Sequence, residues 1–291
     1  MVDLSKAGFT KAFVVGHPIT HSRSPLIHNY WIKKHGLSGS YEAIDVRPGE
    51  LAAFLERVRK GEFAGGNVTV PLKEGAYAAV DCLTQTAKAI GAVNTVFMVD
   101  GKLWGDNTDA YGFSANLADR AEAWKQLHQP VGKAVVIGAG GASRAIVKSL
   151  MDAGFSGIKI LNRTLARAEE LAFAFGPTIS AAPLADFENA ITHADLIVNT
   201  SSIGMAGKSD SEFQFDFSLA KKSALVTDIV YVPLETPFLK SARSTGLKTV
   251  DGLGMLLHQA VPSFERWFGV RPQVDAELRA LIEADLFKVK S

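Results

Sequence analysis

The chain has 291 residues, of which 47% are apolar and 21% charged, and its formal net charge is +1. This length predicts two domains or one large one, with enough apolar residues for a substantial core. The near-neutral charge, with no block of Lys and Arg, argues against a nucleic-acid or membrane surface. A single cysteine, Cys82, excludes an intramolecular disulfide framework and a cysteine-based zinc site. We expect Cys82 to be a buried structural thiol within a helix.

The N-terminal sequence and the hydropathy together predict a cytoplasmic protein. Residues 1–16 lack the basic start and long apolar run of a signal peptide. No segment approaches the roughly 18 uninterrupted apolar residues of a membrane-spanning helix. The sequence leaves the oligomeric state open between a monomer and a homodimer.

Short β-branched segments alternate with helical patterns along most of the chain, which is typical of an α/β fold with parallel strands. Strands are predicted at 11–15, 41–45, 64–68, 95–99, 134–137, 159–161, 196–199, 225–228 and 248–250. Helices are predicted at 24–35, 48–60, 72–80, 108–120, 142–153, 164–175, 237–244 and 254–268, with a kink or restart of the last one at Pro262. A glycine-rich pattern occurs only in the second half, so we predict one domain from 1–109 with 252–291 and another from 110–251.

The clearest motif is a glycine-rich turn at residues 138–143 (GAGGAS). An apolar strand, Lys133–Ile137, leads into it and a helical pattern follows, which is the context that a dinucleotide-binding fingerprint requires. The glycines permit a tight turn and close approach of the backbone to a pyrophosphate, whose charge the amides at the helix start can bind. Ser143 replaces the third glycine of the common pattern. A plain turn at a helix start is the alternative interpretation.

The end of the next strand indicates which dinucleotide binds. An NAD site places a carboxylate there for the ribose hydroxyls, whereas this chain has Asn162, Arg163 and Thr164, with Arg167 one helical turn later. Two guanidinium groups match the geometry of a 2′-phosphate, so the sequence favours NADP. A solvated helix start with ordinary surface arginines is the alternative.

Four polar clusters in the first predicted domain suggest a second binding site. They are His21–Pro25 with two serines, the segment 67–73 (NVTVPLK), the segment 91–95 (GAVNT) and the segment 105–109 (GDNTD). Each also has a structural explanation: Ser24 can be a helix N-cap, Lys73 a surface lysine, Asn94 a turn residue and Asp109 a helix cap.

Taken in order with the glycine turn, these clusters closely resemble shikimate dehydrogenase, the NADP-dependent enzyme family of aromatic amino-acid biosynthesis. The resemblance covers residues 16–259. It implies an α/β substrate domain and a Rossmann domain joined by hinge helices, a cleft between them, and reversible reduction of 3-dehydroshikimate to shikimate. The substrate residues that it implies are Ser22, Ser24, Asn67, Thr69, Lys73, Asn94, Asp109, Tyr231 and Gln259. The cofactor residues are Gly138, Ala139, Gly140, Gly141, Ala142, Asn162, Arg163, Thr164, Arg167, Thr200, Ile229, Gly252 and Met255.

The residue types independently suit ketone reduction. Hydride addition to a ketone leaves a developing alkoxide, which needs a proton donor and a nearby positive charge. The ammonium group of Lys73 can offer both, and Asp109 can hold and orient it. Many hydroxyl and amide side chains suit a polyhydroxylated ring with a carboxylate.

Two rival functions stay open on the sequence. One is a quinate/shikimate dehydrogenase of relaxed specificity. Such enzymes commonly have an acidic residue near the end of the second strand of the nucleotide-binding domain, and often Thr at the position of the second serine. Ser24 and the pair Asn162–Arg163 favour shikimate and NADP instead. The other is a non-catalytic ligand sensor, which could keep the glycines without Lys73 or Asp109; both are present here.

Overall fold

The structure is a computed structural model that describes residues 8–122, 124, 132–205 and 213–288. Residues 1–7, on which part of the signal-peptide prediction depends, lie outside them. No helix in these ranges is long and apolar enough to cross a membrane. The chain divides into two compact units: the first runs to Thr108 and resumes at Leu257, and the second comprises Asp109–Leu256.

The described part of the first unit contains a six-stranded sheet in the order β2-β1-β3-β5-β6-β4. The strands are β1 (Thr10–Gly16), β2 (Gly39–Asp45), β3 (Gly65–Val68), β4 (Cys82–Leu83), β5 (Thr95–Val99) and β6 (Lys102–Asp106). The helices up to residue 108 are α1 (Ser24–Lys34), α2 (Leu51–Arg59), α3 (Lys73–Ala79) and α4 (Gln85–Ile90), with a short 3-10 turn at Pro48–Glu50.

This sheet is mixed, so the prediction of parallel strands is wrong for the first unit. β1 pairs in parallel with β2 and β3, but β5 is antiparallel to both β3 and β6. β5 and β6 form a hairpin across Asp100 and Gly101, which have φ of 50° and 73°. An Asp-Gly pair adopts this left-handed turn readily, and the turn twists in the sense that antiparallel strands require.

The environment of Cys82 also differs from the prediction. It lies in the two-residue strand β4, which pairs in parallel with Trp104 and Gly105 of β6. Its side chain is half-buried. The flanking apolar residues that suggested a helix are explained by this edge strand, so Cys82 is neither helical nor fully buried.

Aromatic residues dominate the core of the first unit. The ring of Phe13 on β1 packs edge to face against Phe54 at 4.8 Å and Phe63 at 5.0 Å, measured between ring centroids. The neighbouring strand has Gly66 at this point, and a side chain there would collide with the Phe13 ring. The C-terminal segment completes this core, since Trp267 Nε1 donates to Val96 O at 3.1 Å.

The second unit has a parallel six-stranded sheet among its described residues, in the order β12-β11-β10-β7-β8-β9. Its strands are β7 (Lys133–Ile137), β8 (Gly157–Asn162), β9 (Ile179–Pro183), β10 (Leu196–Asn199), β11 (Leu225–Asp228) and β12 (Lys248–Val250). The remaining helices among the described residues are α5 (Asp109–Arg120), α6 (Gly141–Asp152), α7 (Leu165–Phe175), α8 (Phe187–Ile191), α9 (Pro237–Ser244), α10 (Leu253–Phe268) and α11 (Ala276–Lys288).

Apolar clusters cover both faces of the second sheet, as a parallel sheet requires. Along β7, Val136 packs into the cluster on one face, and Val135 and Ile137 pack into the cluster on the other. The strand order reverses between β7 and β10, and ligands of open α/β sheets bind at such a switch point. The helix α10 continues through Pro262, so the predicted restart there does not occur.

Candidate cofactor and substrate sites

The glycine turn between β7 and α6 is tightly packed against the start of the loop that follows β10. Gly138 has φ of 106°, and a Cβ atom at this position would lie 2.8 Å from Thr200 Oγ1. Only glycine fits both the left-handed backbone and the close approach. Helix α6 starts at Gly141, so the amide groups of its first turn have no carbonyl partners within the helix and present a positive dipole end.

A cavity of about 900 Å³ lies beside this turn, entirely within the second unit. Guanidinium groups and a carboxamide meet there, because Asn162, Arg163 and Arg167 all line it. Their convergence gives the cavity a positive wall that a phosphate group would fit. The lining also includes the predicted cofactor residues Gly138, Ala139, Gly140 and Thr200.

Asn162 and Thr164 have local structural roles at the edge of this cavity. Asn162 Nδ2 donates to Thr164 O at 2.8 Å, which holds the turn between β8 and α7. Thr164 is the N-cap residue of α7, without a hydrogen bond from its side chain. Another part of the cavity wall is formed by Pro183, the last residue of β9, with Leu184 and Ala185. Sequence reasoning missed this wall because β9 itself was not predicted.

A buried carboxylate organises the two loops that follow β10 and β11. Asp228 accepts hydrogen bonds from Asn199 Nδ2 at 3.0 Å, Val230 N at 2.9 Å and Thr236 Oγ1 at 2.7 Å. Its side chain is fully buried. Burial raises the pKa of Asp228 to about 6, although the hydrogen bond from Thr236 opposes the shift.

The other predicted cofactor residues follow strands β7, β11 and β12. A side chain at Gly252 would meet the Ile229 carbonyl oxygen at 2.5 Å, so the backbone of one loop packs directly on the other. Ile229 and Met255 both pack against the apolar cluster on one face of the sheet. Gly141 and Ala142 lie in the first turn of α6.

The two serines lie together at the start of α1. The backbone N of Ser24 donates to Ser22 Oγ at 3.3 Å. Ser24 is the first residue of α1 and is buried, and Arg23 is the N-cap, with no capping hydrogen bond from a side chain. The alternative that Ser24 is only an N-cap is therefore wrong.

A network of buried polar side chains joins three predicted substrate residues within the first unit. Asn67 Nδ2 donates to Asn94 O at 3.1 Å. Asn94 Oδ1 accepts from Thr108 N at 2.9 Å, and Thr108 Oγ1 lies 3.4 Å from Gln259 Oε1. Asn94 thus contacts partners from separate segments and is more than a turn residue.

The remaining predicted residues start helices or lie in loops. Lys73 is the first residue of α3 and half-buried, and its carbonyl accepts from Val93 N at 3.0 Å. Thr69 O accepts from Leu72 N in the preceding turn. Asp109 is the buried first residue of α5, and Tyr231 is half-buried after β11; both belong to the second unit.

Sequence reasoning missed several polar residues of the buried network, namely Tyr41, Thr95, Ser263 and the ring of His28. Tyr41 donates to Asn67 Oδ1 at 2.7 Å, and Thr95 Oγ1 lies 2.8 Å from Ser263 Oγ. Thr95 ends the segment 91–95 that the sequence singles out, but Tyr41, Ser263 and His28 lie in no motif that resembles a binding site. Only alternation along β2 and spacing along α10 indicate that they face inward.

Three family models match consecutive parts of the chain. They are the shikimate dehydrogenase substrate binding domain at residues 14–96, shikimate / quinate 5-dehydrogenase at 121–251, and the shikimate 5'-dehydrogenase C-terminal domain at 252–282.

The chain belongs to the shikimate dehydrogenase family. It is 56% identical over 286 residues to a shikimate dehydrogenase (NADP(+)) of Mesorhizobium japonicum, which covers 98% of this chain and 99% of the relative. The corresponding protein of Brucella abortus is 53% identical over 289 residues and covers 99% of both chains.

Solved structures of the family have the same fold. The shikimate 5-dehydrogenase of Thermus thermophilus, in complex with NADP(H) and shikimate, matches with a TM-score of 0.81 and 38% identity, covering 96% of this chain and 99% of that one. A quinate dehydrogenase of Corynebacterium glutamicum, in complex with NAD, matches with a TM-score of 0.84 and 28% identity, covering 95% and 99%. The fold is therefore shared by enzymes whose cofactors differ.

Proposed function

We propose that this chain catalyses the reversible NADPH-dependent reduction of 3-dehydroshikimate to shikimate. The chain is an NADP-dependent oxidoreductase of the shikimate dehydrogenase family, and relatives at 53–56% identity over nearly its whole length carry that activity in their names. The observation that carries the cofactor assignment is the cavity in which Asn162, Arg163 and Arg167 converge beside the glycine turn.

The residues present fit a dinucleotide with a 2′-phosphate. A side chain at position 138 would collide with the Thr200 loop, so glycine is needed for the turn and the loop to pack together. The start of α6 can bind the pyrophosphate, and Arg163 with Arg167 can bind the 2′-phosphate. Ile229, Gly252 and Met255 complete the proposed cofactor site at the nicotinamide end. When bound, the cofactor supplies the hydride.

Lys73 and Asp109 are proposed to act at the reacting oxygen. The Lys73 ammonium donates a proton to the alkoxide that develops as the ketone is reduced, and its charge stabilises that alkoxide. The proposed role of the Asp109 carboxylate is to orient the ammonium. In the oxidative direction the same lysine, once deprotonated, removes the hydroxyl proton.

The remaining polar residues are proposed to bind the ring of the substrate. Ser22 and Ser24 suit the carboxylate end, whereas Thr69, Asn67, Asn94, Tyr231 and Gln259 suit the ring hydroxyls. The buried network around Asn94 supports this assignment, because it fixes several of these groups before a ligand arrives. A site of this kind rejects analogues that lack a hydroxyl, because its own groups then stay unpaired.

A quinate/shikimate dehydrogenase of relaxed specificity is the second candidate, since one similar structure is a quinate dehydrogenase with NAD. Arg163 and Arg167 in the cavity favour NADP over that cofactor. A cytoplasmic location and a monomeric or homodimeric state complete the proposal as predictions of the sequence.

The test is an assay of the purified protein with shikimate or quinate and with NADP or NAD. We expect kcat/KM for shikimate with NADP to exceed each of the other combinations by at least about 100-fold, which corresponds to ~2.7 kcal/mol. Comparable values with quinate would favour the second candidate. A protein that binds shikimate without turnover would instead be a ligand sensor.

A further inference from the structure

The four residues that follow β10, Thr200 to Ile203, all line the cavity of the second unit. We call residues 200–203 the β10 loop. Its first residues touch the glycine turn, since a Cβ atom at Gly138 would lie 2.8 Å from Thr200 Oγ1 and 3.1 Å from Ser201 N. The β10 loop therefore adjoins the turn to which the pyrophosphate is assigned in the proposed function.

The carboxamide of Asn199 joins the β10 loop to the neighbouring strand. Asn199 is the last residue of β10 and is fully buried. Its Oδ1 atom accepts hydrogen bonds from Ser201 N at 3.0 Å and from Ser201 Oγ at 2.6 Å. Its Nδ2 atom donates to Ile203 O at 3.2 Å and to Asp228 Oδ1 at 3.0 Å. The carboxamide thus makes the four hydrogen bonds that its two donors and two lone pairs allow.

These bonds determine the backbone conformation of the β10 loop. Ser201 N only donates and Ile203 O only accepts, so the carboxamide of Asn199 has a single orientation that satisfies both. Ser201 Oγ also accepts from Ile203 N at 3.2 Å. Three backbone polar groups of the loop therefore depend on Asn199, either directly or through the hydroxyl of Ser201.

The other side of this arrangement is anchored on helix α9. Asp228 Oδ2 accepts from Thr236 Oγ1 at 2.7 Å, and Thr236 is the N-cap residue of α9, where its hydroxyl accepts from Leu239 N. Gly204 ends the loop against the same helix, because a Cβ atom there would lie 3.2 Å from Pro237 Cδ. The protein itself thus holds the β10 loop at both ends.

We infer that Asn199 is a positioning residue for the dinucleotide, which holds the β10 loop in the conformation that binds it. The inference rests on the proposed placement of the cofactor in this cavity. A loop that is already ordered spares the entropic cost of ordering it when a ligand binds. Because the loop adjoins the glycine turn, it binds the part of the cofactor that NADP and NAD share. Asn199 is fully buried and acts only through the loop.

The substitution Asn199→Ala tests the inference, with the Kd of NADPH and of NADH measured by nicotinamide fluorescence. We expect both Kd values to rise about tenfold, with their ratio within about twofold of the wild type. In steady-state kinetics with saturating NADP, kcat and KM for shikimate should change by less than about twofold. Unchanged Kd values would overturn the inference. A rise for NADPH alone would also overturn it, because the effect would then lie at the 2′-phosphate.

Ser201 offers a milder variant with a conservative partner. Ser201→Ala removes the hydroxyl that bonds to Asn199 Oδ1 and Ile203 N, and should raise both Kd values about threefold. Ser201→Thr keeps a hydroxyl and should restore them. If Asn199→Ala fails to fold, this pair decides the question, and unchanged Kd values in Ser201→Ala would overturn the inference.

The matched control is Thr227→Val. It replaces another buried polar side chain, 1% exposed, on the adjacent strand β11 and outside the cavity lining. Both Kd values should stay at the wild-type level in this variant. Equal rises in Thr227→Val and Asn199→Ala would mean that any disturbance of the sheet weakens binding, and would overturn the role of Asn199.

The same measurements distinguish this inference from the proposed function. A wild-type protein that binds neither NADPH nor NADH would overturn the cofactor assignment and the role of Asn199 with it. A wild type that binds NADPH more tightly than NADH, with unchanged Kd values in Asn199→Ala, would overturn only the role of Asn199.

Discussion

The hydroxyl oxygens of Ser143 and Thr200 lie 2.6 Å apart. Thr200 Oγ1 donates to Ile137 O at 2.7 Å, so the proton between the two hydroxyls belongs to Ser143. Ser143 Oγ in turn accepts from Gly140 N at 3.1 Å. The serine that replaces the third glycine of the fingerprint thus ties the glycine turn to the loop after β10.

Replacing Ser143 by Ala should therefore weaken cofactor binding. The amide of Gly140 and the hydroxyl of Thr200 each lose a partner, at a cost of about 1 kcal/mol per bond. We expect KM for NADP to rise roughly five- to tenfold and KM for shikimate to stay within twofold, as measured by steady-state kinetics. Ser149→Ala removes another buried serine of the same helix and is the control. Equal effects of the two substitutions would mean that only helix packing matters.

The cavity arginines should determine the choice between NADP and NAD. Removing Arg163 and Arg167 together takes away two charge-assisted interactions with the 2′-phosphate, each worth about 1.5–3 kcal/mol. The ratio of kcat/KM for NADP over NAD should fall by at least about 100-fold in Arg163→Ala/Arg167→Ala, with little change in kcat/KM for NAD. Lys159→Ala, at an exposed position of β8, is the control for lost positive charge. An unchanged ratio in the double variant would refute the assignment.

Lys73 should affect turnover more than binding. Lys73→Ala is expected to lower kcat by 10²- to 10⁴-fold, the usual contribution of a general acid, with KM for NADP unchanged. Lys73→Arg separates charge from proton transfer, because a guanidinium keeps the charge but does not lose its proton. We expect kcat of the Arg variant to stay low. Lys88→Ala on α4 is the control, and near-normal turnover of Lys73→Ala would remove this lysine from the mechanism.

The buried imidazole of His28 should make the first unit sensitive to acid. Burial lowers the pKa of His28 to about 3; Asn67 is close enough to oppose the shift slightly, but neither ring nitrogen has a well-formed hydrogen bond within the described residues. The unfolded chain takes up this proton near pH 6.5 and the folded chain does not. The free energy of unfolding is therefore highest above that pH. It falls by about 2 kcal/mol as the pH falls from 7 to 5.

Urea unfolding at the two pH values measures this loss. His28→Phe keeps a ring against Tyr41 and should remove about 2 kcal/mol of the pH dependence. The control is His35→Phe, at the exposed residue after α1, which should keep the pH dependence of the wild type. If the wild type and the His28→Phe variant have the same pH dependence, His28 titrates normally in the folded protein.

The carboxyl group of Asp228 should have the opposite effect. Its pKa is raised from 3.8 to about 6 by burial, so the stability that it contributes is present below pH 3.8 and lost as pH rises through 6. Asp228→Asn keeps an oxygen that accepts the hydrogen bonds from Asn199 and Val230. In the wild type the free energy of unfolding should fall by about 2 kcal/mol between pH 4 and pH 7 because of Asp228, and this fall should be absent from the variant. Unfolding midpoints at both pH values report the difference. Asp216→Asn, in the same unit, is the control; a larger pH dependence in Asp228→Asn than in the wild type would contradict the sign.

Much of the second unit could be predicted from the sequence because short, contiguous segments determine its strands, helices and turns. Strands β10, β11 and β12 and helix α9 have the predicted bounds, and the glycine turn and the arginines after β8 meet in one cavity as expected. β9 was missed because Ile179–Pro183 is short and contains two alanines, which have a low strand propensity.

The first unit was harder to predict because its sheet and polar network depend on distant segments. The antiparallel direction of β5 is set by the Asp100-Gly101 turn, a signal that was present but not used. No local pattern indicates that Asn67 contacts Ser263, a residue almost 200 positions away, with 3.3 Å between Asn67 Nδ2 and Ser263 Oγ. The polar motifs identified Asn67 and Asn94, which the structure joins by a hydrogen bond, but no motif identified Tyr41 or Ser263, which hold Asn67 in place.

The first unit is built from two separated stretches of chain, and this has a consequence during synthesis on the ribosome. Trp31 Nε1 donates to Gln273 O, and Trp267 Nε1 donates to Val96 O, so residues from the last segment close the core that the first 108 residues begin. The inserted unit leaves the ribosome complete while its host still lacks these partners. Part of the apolar surface of the nascent N-terminal sheet therefore stays exposed until the last helices are synthesised. Chaperone binding would matter most during this interval.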